Sequence, residues 1–276
     1  MTSDLPAPGG TGHGALLGVW AHPDDEAYLS AGLMATARRA GRRVVVVTAT
    51  RGEQGTTDRE DWPPARLAAL RERELAESLR LVGVDEHVWL GYDDGSLARA
   101  DARLAVASLR RIIADVAPET VITFGPDGMT GHDDHRTVSS WVTEAWRSSA
   151  HTADLWYATL TPEFHLEWGP LNERVGLWFD GAQPPVTPRQ DLAAHLVCRG
   201  DLLDLKLAAL RAHGSQTEAL ERLVGAETYR AWWSTESFVA ADRPVRSVSP
   251  SSATGAPDRR GASYDGRRVR LRPGCG

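Results

Sequence analysis

The feature that most constrains the fold is a repeated alternation of short apolar runs with longer segments of helical periodicity. The run ALLGVW at residues 15–20 precedes small and apolar positions at helical spacing that stop at Gly41. A β-branched run at residues 44–47 follows, and a Pro-Pro step then begins a second helical pattern over residues 63–81. Strands that alternate with helices predict a parallel sheet covered on both faces.

The alternation continues toward the middle of the chain. Residues 87–90 and 120–124 read as a third and a fourth strand on either side of a helix at 99–116. In the second half we expect further strands and helices that complete the same sheet. These are strands at residues 155–160 and 175–179 and helices at residues 191–211 and 218–233. The predicted fold is therefore a single α/β domain with a Rossmann-like, mostly parallel sheet.

Composition predicts the boundaries of the folded domain and the compartment of the protein. Residues 1–14 read as a flexible leader without the features of a secretory signal, residues 15–242 as one folded domain, and residues 243–276 as a disordered basic tail. No apolar run approaches the roughly 18 to 20 residues that a membrane span needs. We therefore expect a cytoplasmic protein without a membrane span.

Charge and residue counts exclude several classes of function. The net charge is −6, although the segment 243–276 holds eight Arg against two Asp, so the folded part is acidic and nucleic acid is not an expected partner. Two cysteines provide neither a disulfide framework nor a zinc ribbon, which leaves His, Asp and Glu as metal ligands. The single lysine, Lys206, rules out a Walker motif and leaves one candidate for Schiff-base chemistry.

The motif AHPDDE directly follows the first predicted strand. His22 and Asp25 are three residues apart at a strand-to-helix turn, so both can converge on one metal ion, while Asp24 is displaced toward a water beside it. An alternative reading is that Asp24, Asp25 and Glu26 cap the next helix and complement its dipole.

A second motif, GHDDH, follows the fourth predicted strand. His132 and His135 are again three residues apart, and either can complete a set of two His and one carboxylate with an open position, as a hydrolytic zinc site requires. The alternative is a solvated loop in which Asp133 or Asp134 caps the following helix. Because both motifs follow parallel strands, we expect them at the same edge of the sheet.

With AHPDDE, RGE at residues 51–53 and GHDDH, the chain resembles the LmbE/PIG-L family of metal-dependent N-acetylglucosamine deacetylases over residues 15–238. The resemblance implies removal of an acetyl group from an amino sugar by metal-activated water. The roles it implies are zinc ligation by His22, Asp25 and His135, general base catalysis by Asp24, stabilisation of the tetrahedral intermediate or acid catalysis by His132, and orientation of a histidine by Asp134.

Four further positions match family sites that contact the sugar or shape the pocket. They are Arg51, Glu53, Asp94 and His213. An Arg and a Glu on one loop are otherwise a surface ion pair, and a histidine at the end of a helix otherwise interacts with its dipole. Thr130 stands where some family members carry a tyrosine, which shifts oxyanion stabilisation toward zinc and His132. Asp133 replaces the proline of the frequent HPDH and adds a negative charge near the site.

Other functions fit parts of the pattern. Two His and one carboxylate also describe a non-haem Fe(II) oxygenase, although that chemistry belongs mostly to antiparallel barrels. A non-catalytic sugar-binding module with a Rossmann-like sheet is a third hypothesis. Under the first hypothesis the cofactor is Zn²⁺, which Fe²⁺ can replace in a reducing compartment, and the partner is a small amino-sugar conjugate. The sequence leaves a homo-oligomer open.

Overall fold

The apolar runs of the sequence form the strands of one seven-stranded sheet. The computed structural model describes residues 14–149, 152–179, 181–241 and 246–247. Within these residues the strands are, in chain order, β1 (Ala15–Trp20), β2 (Val44–Thr50), β3 (Glu86–Tyr92), β4 (Pro118–Phe124), β5 (Asp154–Ala158), β6 (Pro185–Val186), β7 (Ala194–Val197), β8 (Thr235–Ala240) and β9 (Arg246–Ser247). The two shortest strands, β6 and β9, pair with each other outside the main sheet.

Helices alternate with the strands through the first half and gather between β7 and β8 in the second. They are α1 (Asp25–Arg39), α2 (Pro64–Leu81), α3 (Ala102–Val116), α4 (Asp133–Arg147), α5 (Pro162–Val175), α6 (Asp201–Ala212), α7 (Gly214–Val224) and α8 (Ala226–Trp232). One group consists of α1, α2 and α6, while α3 packs against α4. Right-handed crossovers from β1 to β3 and back to β4 place these two groups on opposite faces of the sheet.

The strand order is β3-β2-β1-β4-β5-β8-β7. The first five strands along this order are parallel, and β8 then pairs antiparallel with both β5 and β7. The predicted single α/β domain with a mostly parallel sheet is confirmed. The direction of the crossovers reverses between β1 and β4, and the crevice at such a reversal is where α/β sheets bind ligands.

The predicted elements of the first half are confirmed within a few residues, whereas in the second half one predicted strand is wrong and two predicted helices have other bounds. Residues 175–179 are not a strand, because α5 continues to Val175 and Gly176, with a φ of 70°, ends it. The predicted helix 191–211 starts only at Asp201, since Ala194–Val197 pair with β8 and Gly200 turns the chain at a φ of 51°. The predicted helix 218–233 is interrupted at Gly225.

The predicted leader and tail fall mostly outside the described residues. Of the leader only Gly14 is described, and of the tail only Arg246–Ser247, whose backbone pairs antiparallel with Pro185–Val186. Within the described part of the chain, no helix combines the length and apolarity required to cross a membrane.

A buried ion pair ties α6 and β8 to α1. The Nζ of Lys206 donates to Glu236 and to the carbonyl of Tyr28, both at 2.8 Å, and both charged side chains are fully buried. The Glu236 carboxylate also accepts the backbone N–H groups of Gly32 and Leu33, at 2.7 and 2.8 Å. The single lysine of the chain therefore anchors the helix that begins at the AHPDDE motif.

Candidate active site

The two sequence motifs meet at the carboxyl ends of β1 and β4. His22 follows β1 directly, and His132 and His135 lie at the start of α4 after β4. The loops after β2 and β3 border the same edge, because Asp94 lies 3.1 Å from His22 Nε2 and Gly52 accepts a hydrogen bond from Arg71, which pairs with Asp24. As predicted, the sheet reversal brings the His and Asp side chains of both motifs together.

Three predicted ligands form one compact, buried set. His22 Nδ1 lies 3.2 Å from His135 Nε2 and 3.7 Å from Asp25 Oδ2, and His135 Nε2 lies 3.4 Å from Asp25 Oδ1. Ligand atoms about 2.0–2.2 Å from a tetrahedral zinc ion are roughly 3.3–3.6 Å apart. The spacing of these three donors therefore fits a single metal ion.

Hydrogen bonds on the far side of each ring determine which nitrogens face this point. The Gly128 carbonyl accepts from His135 Nδ1 at 3.0 Å, and the Asp94 carboxylate accepts from His22 Nε2 at 3.1 Å. Neutral rings in these tautomers turn two lone pairs toward each other beside Asp25. Such an arrangement is repulsive unless a cation lies between them, and either a proton on His22 Nδ1 or a metal ion meets this condition.

The charges around His22 favour a cation as well. Burial disfavours a charged His22, but hydrogen bonds to Asp134 and Asp94 outweigh it and raise its pKa to about 10 in the metal-free protein. Burial raises the pKa of Asp25 to about 7, against the opposing charge of His22. A positive charge is thus stabilised at the point where the ligand atoms of His22, Asp25 and His135 converge.

Asp24 lies beside the three predicted metal ligands and has a strained backbone conformation. Its φ of 108° is in the left-handed region, where a non-glycine residue costs about 1–3 kcal/mol. The fully buried Arg71 guanidinium lies 3.3 Å from Asp24 Oδ2 and also donates to the carbonyls of Pro23 and Gly52. Burial raises the pKa of Asp24 to about 7, although Arg71 opposes the shift. This carboxylate can accept a proton near neutral pH.

His132 caps α4, and its ring centroid lies 5.0 Å from those of His22 and His135. Its Nδ1 accepts the backbone N–H of Asp134 at 3.1 Å, so the neutral ring carries its proton on Nε2. Burial and the neighbouring His135 lower the pKa of His132 to about 3, which keeps the ring neutral. The aromatic ring of Phe179, whose residue is 38% exposed, lies edge-on to His132 at 4.8 Å between centroids.

Asp134 and Asp94 connect the loops after β2 and β3 to His22, one of the three predicted metal ligands. Asp134 lies 3.4 Å from His22 Nε2 and accepts the backbone N–H groups of Gly95 and Leu97, at 2.7 and 3.2 Å. Asp94 accepts the N–H of Gln54 at 2.8 Å with its second oxygen. Asp134 therefore contacts a histidine as the resemblance implied. Asp94, which matches a family position that contacts the sugar or shapes the pocket, is buried beside His22.

The remaining predicted residues are placed as follows. Glu53 accepts the backbone N–H of Asp94 at 2.8 Å and does not pair with Arg51, which is half-exposed, forms an ion pair with Glu72 and lies over the Trp89 ring. His213 is fully buried between α6 and α7 and contacts Glu26 instead of facing the donor set.

The two family departures also have a place in the structure. Thr130 Oγ1 lies 3.5 Å from His135 Nδ1, so a small hydroxyl borders the ring of a predicted ligand. The Asp133 side chain is 82% exposed and pairs with Arg136 at 3.4 Å. The additional negative charge of Asp133 therefore points away from the cluster.

The sequence analysis missed several residues that shape the site. Arg71 occupies a buried position of α2 between Leu67 and Leu75, and an arginine at i, i+4, i+8 spacing with two leucines was the available signal. Glu26 was considered only as a helix-capping residue. No local pattern indicates Phe179, which reaches His132 because residues after α5 fold back and the Phe179 N–H donates to the Thr130 carbonyl.

Comparison with known proteins shows which family the chain is similar to. A family model described as "PIG-L: GlcNAc-PI de-N-acetylase" matches residues 17–146. The 1D-myo-inositol 2-acetamido-2-deoxy-alpha-D-glucopyranoside deacetylase of Kineococcus radiotolerans is 31% identical over 246 residues, which cover 73% of this chain and 68% of that protein.

Solved structures match the fold at lower identity. The N,N'-diacetylchitobiose deacetylase of Pyrococcus horikoshii has a TM-score of 0.57 at 24% identity and covers 82% of this chain and 83% of that one. The 4-carboxy-2-hydroxymuconate hydratase of Pseudomonas putida has a TM-score of 0.53 at 16% identity and covers 85% of this chain and 99% of that one. Because the same fold carries a hydratase, the reaction has to be argued from the site.

Proposed function

The chain belongs to the PIG-L (GlcNAc-PI de-N-acetylase) family, and from this premise we propose that it is a zinc-dependent hydrolase that removes the acetyl group from an N-acetylglucosamine-type amino sugar. The observation that carries the proposal is the buried set of His22 Nδ1, His135 Nε2 and the Asp25 carboxylate oxygens, which lie 3.2 to 3.7 Å from one another. The aligned family relative is named as a deacetylase of such an amide, so the enzyme class is that of hydrolases acting on amide bonds.

His22, Asp25 and His135 are the residues that would hold the metal. Three protein ligands with an open fourth position are the arrangement of catalytic zinc sites, and Fe²⁺ accepts the same donors. When bound, zinc supplies a Lewis acid and lowers the pKa of a water molecule at the open position. Asp94 and Asp134 orient His22 from its other nitrogen, which fixes the direction of the Nδ1 lone pair.

Asp24 and His132 are the residues proposed to act on the reacting atoms. Asp24 takes a proton from the attacking water and gives it to the departing nitrogen, and the proton that remains on the new carboxyl group passes to the amine, so that the products are acetate and a protonated amine. The His132 Nε2–H donates a hydrogen bond to the developing oxyanion, since its Nδ1 is already engaged as an acceptor. Arg71 keeps the Asp24 carboxylate paired and directed.

The substrate class follows from the family relatives. The aligned deacetylase acts on a 2-acetamido sugar joined to inositol, and we propose a small GlcNAc conjugate of this kind as the substrate here. Arg51 and Glu53 lie on the loop that borders the site, and Arg51 is the half-exposed cation available to a sugar hydroxyl. Residues 15–242 are proposed to form the catalytic domain. The net charge of −6 favours a small molecule over a nucleic acid.

The test is release of primary amine from a panel of N-acetylglucosaminides by zinc-loaded and chelated protein. The panel contains the N-acetylated inositol conjugate, N,N'-diacetylchitobiose and a simple alkyl glycoside of N-acetylglucosamine. The single lysine is buried, so protein side chains contribute little background to an amine reagent under native conditions. Amine that appears with zinc, disappears with chelator and returns with zinc supports the proposal. Metal binding without amine release from any of these amides would overturn the substrate class.

A further inference from the structure

The backbone N–H of Asp24 is bound by a carboxylate that does not belong to the predicted metal ligands. Asp24 has a φ of 108°, and its N–H donates to Oε2 of Glu26 at 3.0 Å. We propose that Glu26, fixed in turn by His213 and Ser78, is a positioning residue that holds the Asp24 carboxylate in its catalytic orientation. This inference deepens the proposed function and rests on it for its kinetic consequence.

Three donors from separate parts of the fold converge on Glu26. Besides Asp24 N–H on one oxygen, His213 Nε2 lies 2.7 Å from the other oxygen and Ser78 Oγ donates to it at 3.0 Å. All three side chains are buried. A carboxylate that accepts from three fixed donors has one orientation, so the N–H of Asp24 has a fixed acceptor.

His213 contributes through Glu26. Its Nε2 makes the hydrogen bond of the ring, while Nδ1 has no hydrogen-bond partner in the part of the chain that the structure describes. Burial alone would lower the pKa of His213, but the charge of Glu26 raises it above the ordinary value, and the pKa of Glu26 is lowered. The two side chains form a buried ion pair.

The conformation of Asp24 depends on this support because a residue with a side chain rarely adopts a positive φ. If the acceptor of its N–H is lost, the buried donor is left unsatisfied and rotation of φ relieves the strain. Rotation of φ at Asp24 moves its carboxylate relative to Asp25 and His22. Arg71 restrains the Asp24 carboxylate and the Pro23 carbonyl. Glu26 therefore fixes the backbone N–H of Asp24, while Arg71 fixes its side chain.

Glu26→Gln tests the proposal most sharply. An amide offers one acceptor and one donor group, so it cannot accept from Asp24, Ser78 and His213 in the same arrangement. Because a misplacement of about 1 Å can cost on the order of 10²-fold in rate, we expect kcat to fall about 10²-fold with KM within about twofold. Bound zinc should stay at one per chain. The matched control is Glu77→Gln on α2, which removes an exposed pair with Arg80 and should leave kcat unchanged.

His213 variants decide whether the effect passes through the ion pair. His213→Leu should reproduce the loss of kcat, His213→Gln should recover part of it by restoring a donor to Glu26, and the double variant Glu26→Gln/His213→Leu should cost no more than the larger single change. Multiplicative losses in the double variant, or a normal kcat in His213→Leu, would overturn the inference.

A structural measurement separates this inference from the proposed function. Crystal structures of zinc-loaded wild type and Glu26→Gln should differ in the φ of Asp24, which leaves its positive value in the variant. If wild type hydrolyses no amide, the proposed function fails while this comparison still decides the positioning role. An unchanged Asp24 backbone in Glu26→Gln would overturn it. If Glu26→Gln does not fold, Ser78→Ala removes one of the three donors and provides the same two readouts.

Discussion

Replacement of Lys206 by methionine tests how the buried ion pair anchors α1. The change removes the cation 2.8 Å from Glu236 and the donor to the Tyr28 carbonyl, and it leaves the Glu236 charge fully buried. Breaking a buried pair by removing one partner costs about 3–5 kcal/mol. In a domain of this size each kcal/mol lowers Tm by about 2–4 °C, so we expect Tm to fall by roughly 6–20 °C.

The assay is thermal and guanidinium unfolding followed by circular dichroism, with two matched variants. Arg222→Met removes an exposed pair with Glu218 on α7 and should cost at most about 0.5 kcal/mol. Lys206→Met/Glu236→Gln removes the uncompensated charge while an amide oxygen remains for one of the N–H groups of Gly32 and Leu33. It should therefore be more stable than Lys206→Met alone. A loss below about 1 kcal/mol for Lys206→Met would refute the reasoning.

Three further results are expected. Asp94→Ala removes the carboxylate behind His22 and should weaken zinc binding about 10–100-fold in a competition with a chromogenic chelator, whereas unchanged affinity would contradict an orienting role. Burial raises the pKa of Cys198 to about 12, so in a Cys275→Ser variant no thiol should react with a disulfide reagent at pH 8 until the protein is unfolded, and a rapid native reaction would contradict this. Because the pKa of His213 is raised on folding, its charge stabilises the protein fully below the unfolded value of about 6.5 and this contribution disappears as pH rises through the folded value. The stability difference between wild type and His213→Leu should thus shrink with rising pH, and a constant difference would contradict a charged His213.

The first half of the fold could be predicted because its signals are local. The strands are short and apolar, and the helices are bounded by a Pro-Pro step at one end and by glycine at another. In the second half the signals conflict with the tertiary structure. Pro170 lies inside α5, and Ala194–Val197 become a strand only because β8 offers an antiparallel partner.

The candidate site divides in a similar way. Residues that follow strands could be placed from the strand order alone, and this is why His22, Asp25 and His135 meet as expected. Residues that act from helices could not. Arg71 and His213 reach the site from α2 and from the end of α6, and their relevance depends on how these helices pack against α1.

The most direct test of the account compares wild type with Asp24→Asn, both loaded with zinc, for acetate release from the GlcNAc-inositol conjugate and for bound metal. Asp24 is proposed as the base and is not in the ligand set, so the variant should keep one zinc per chain and lose about 10²–10⁴-fold in kcat. An Asp24→Asn variant that retains zinc and hydrolyses the amide within threefold of the wild-type rate would contradict the central claim.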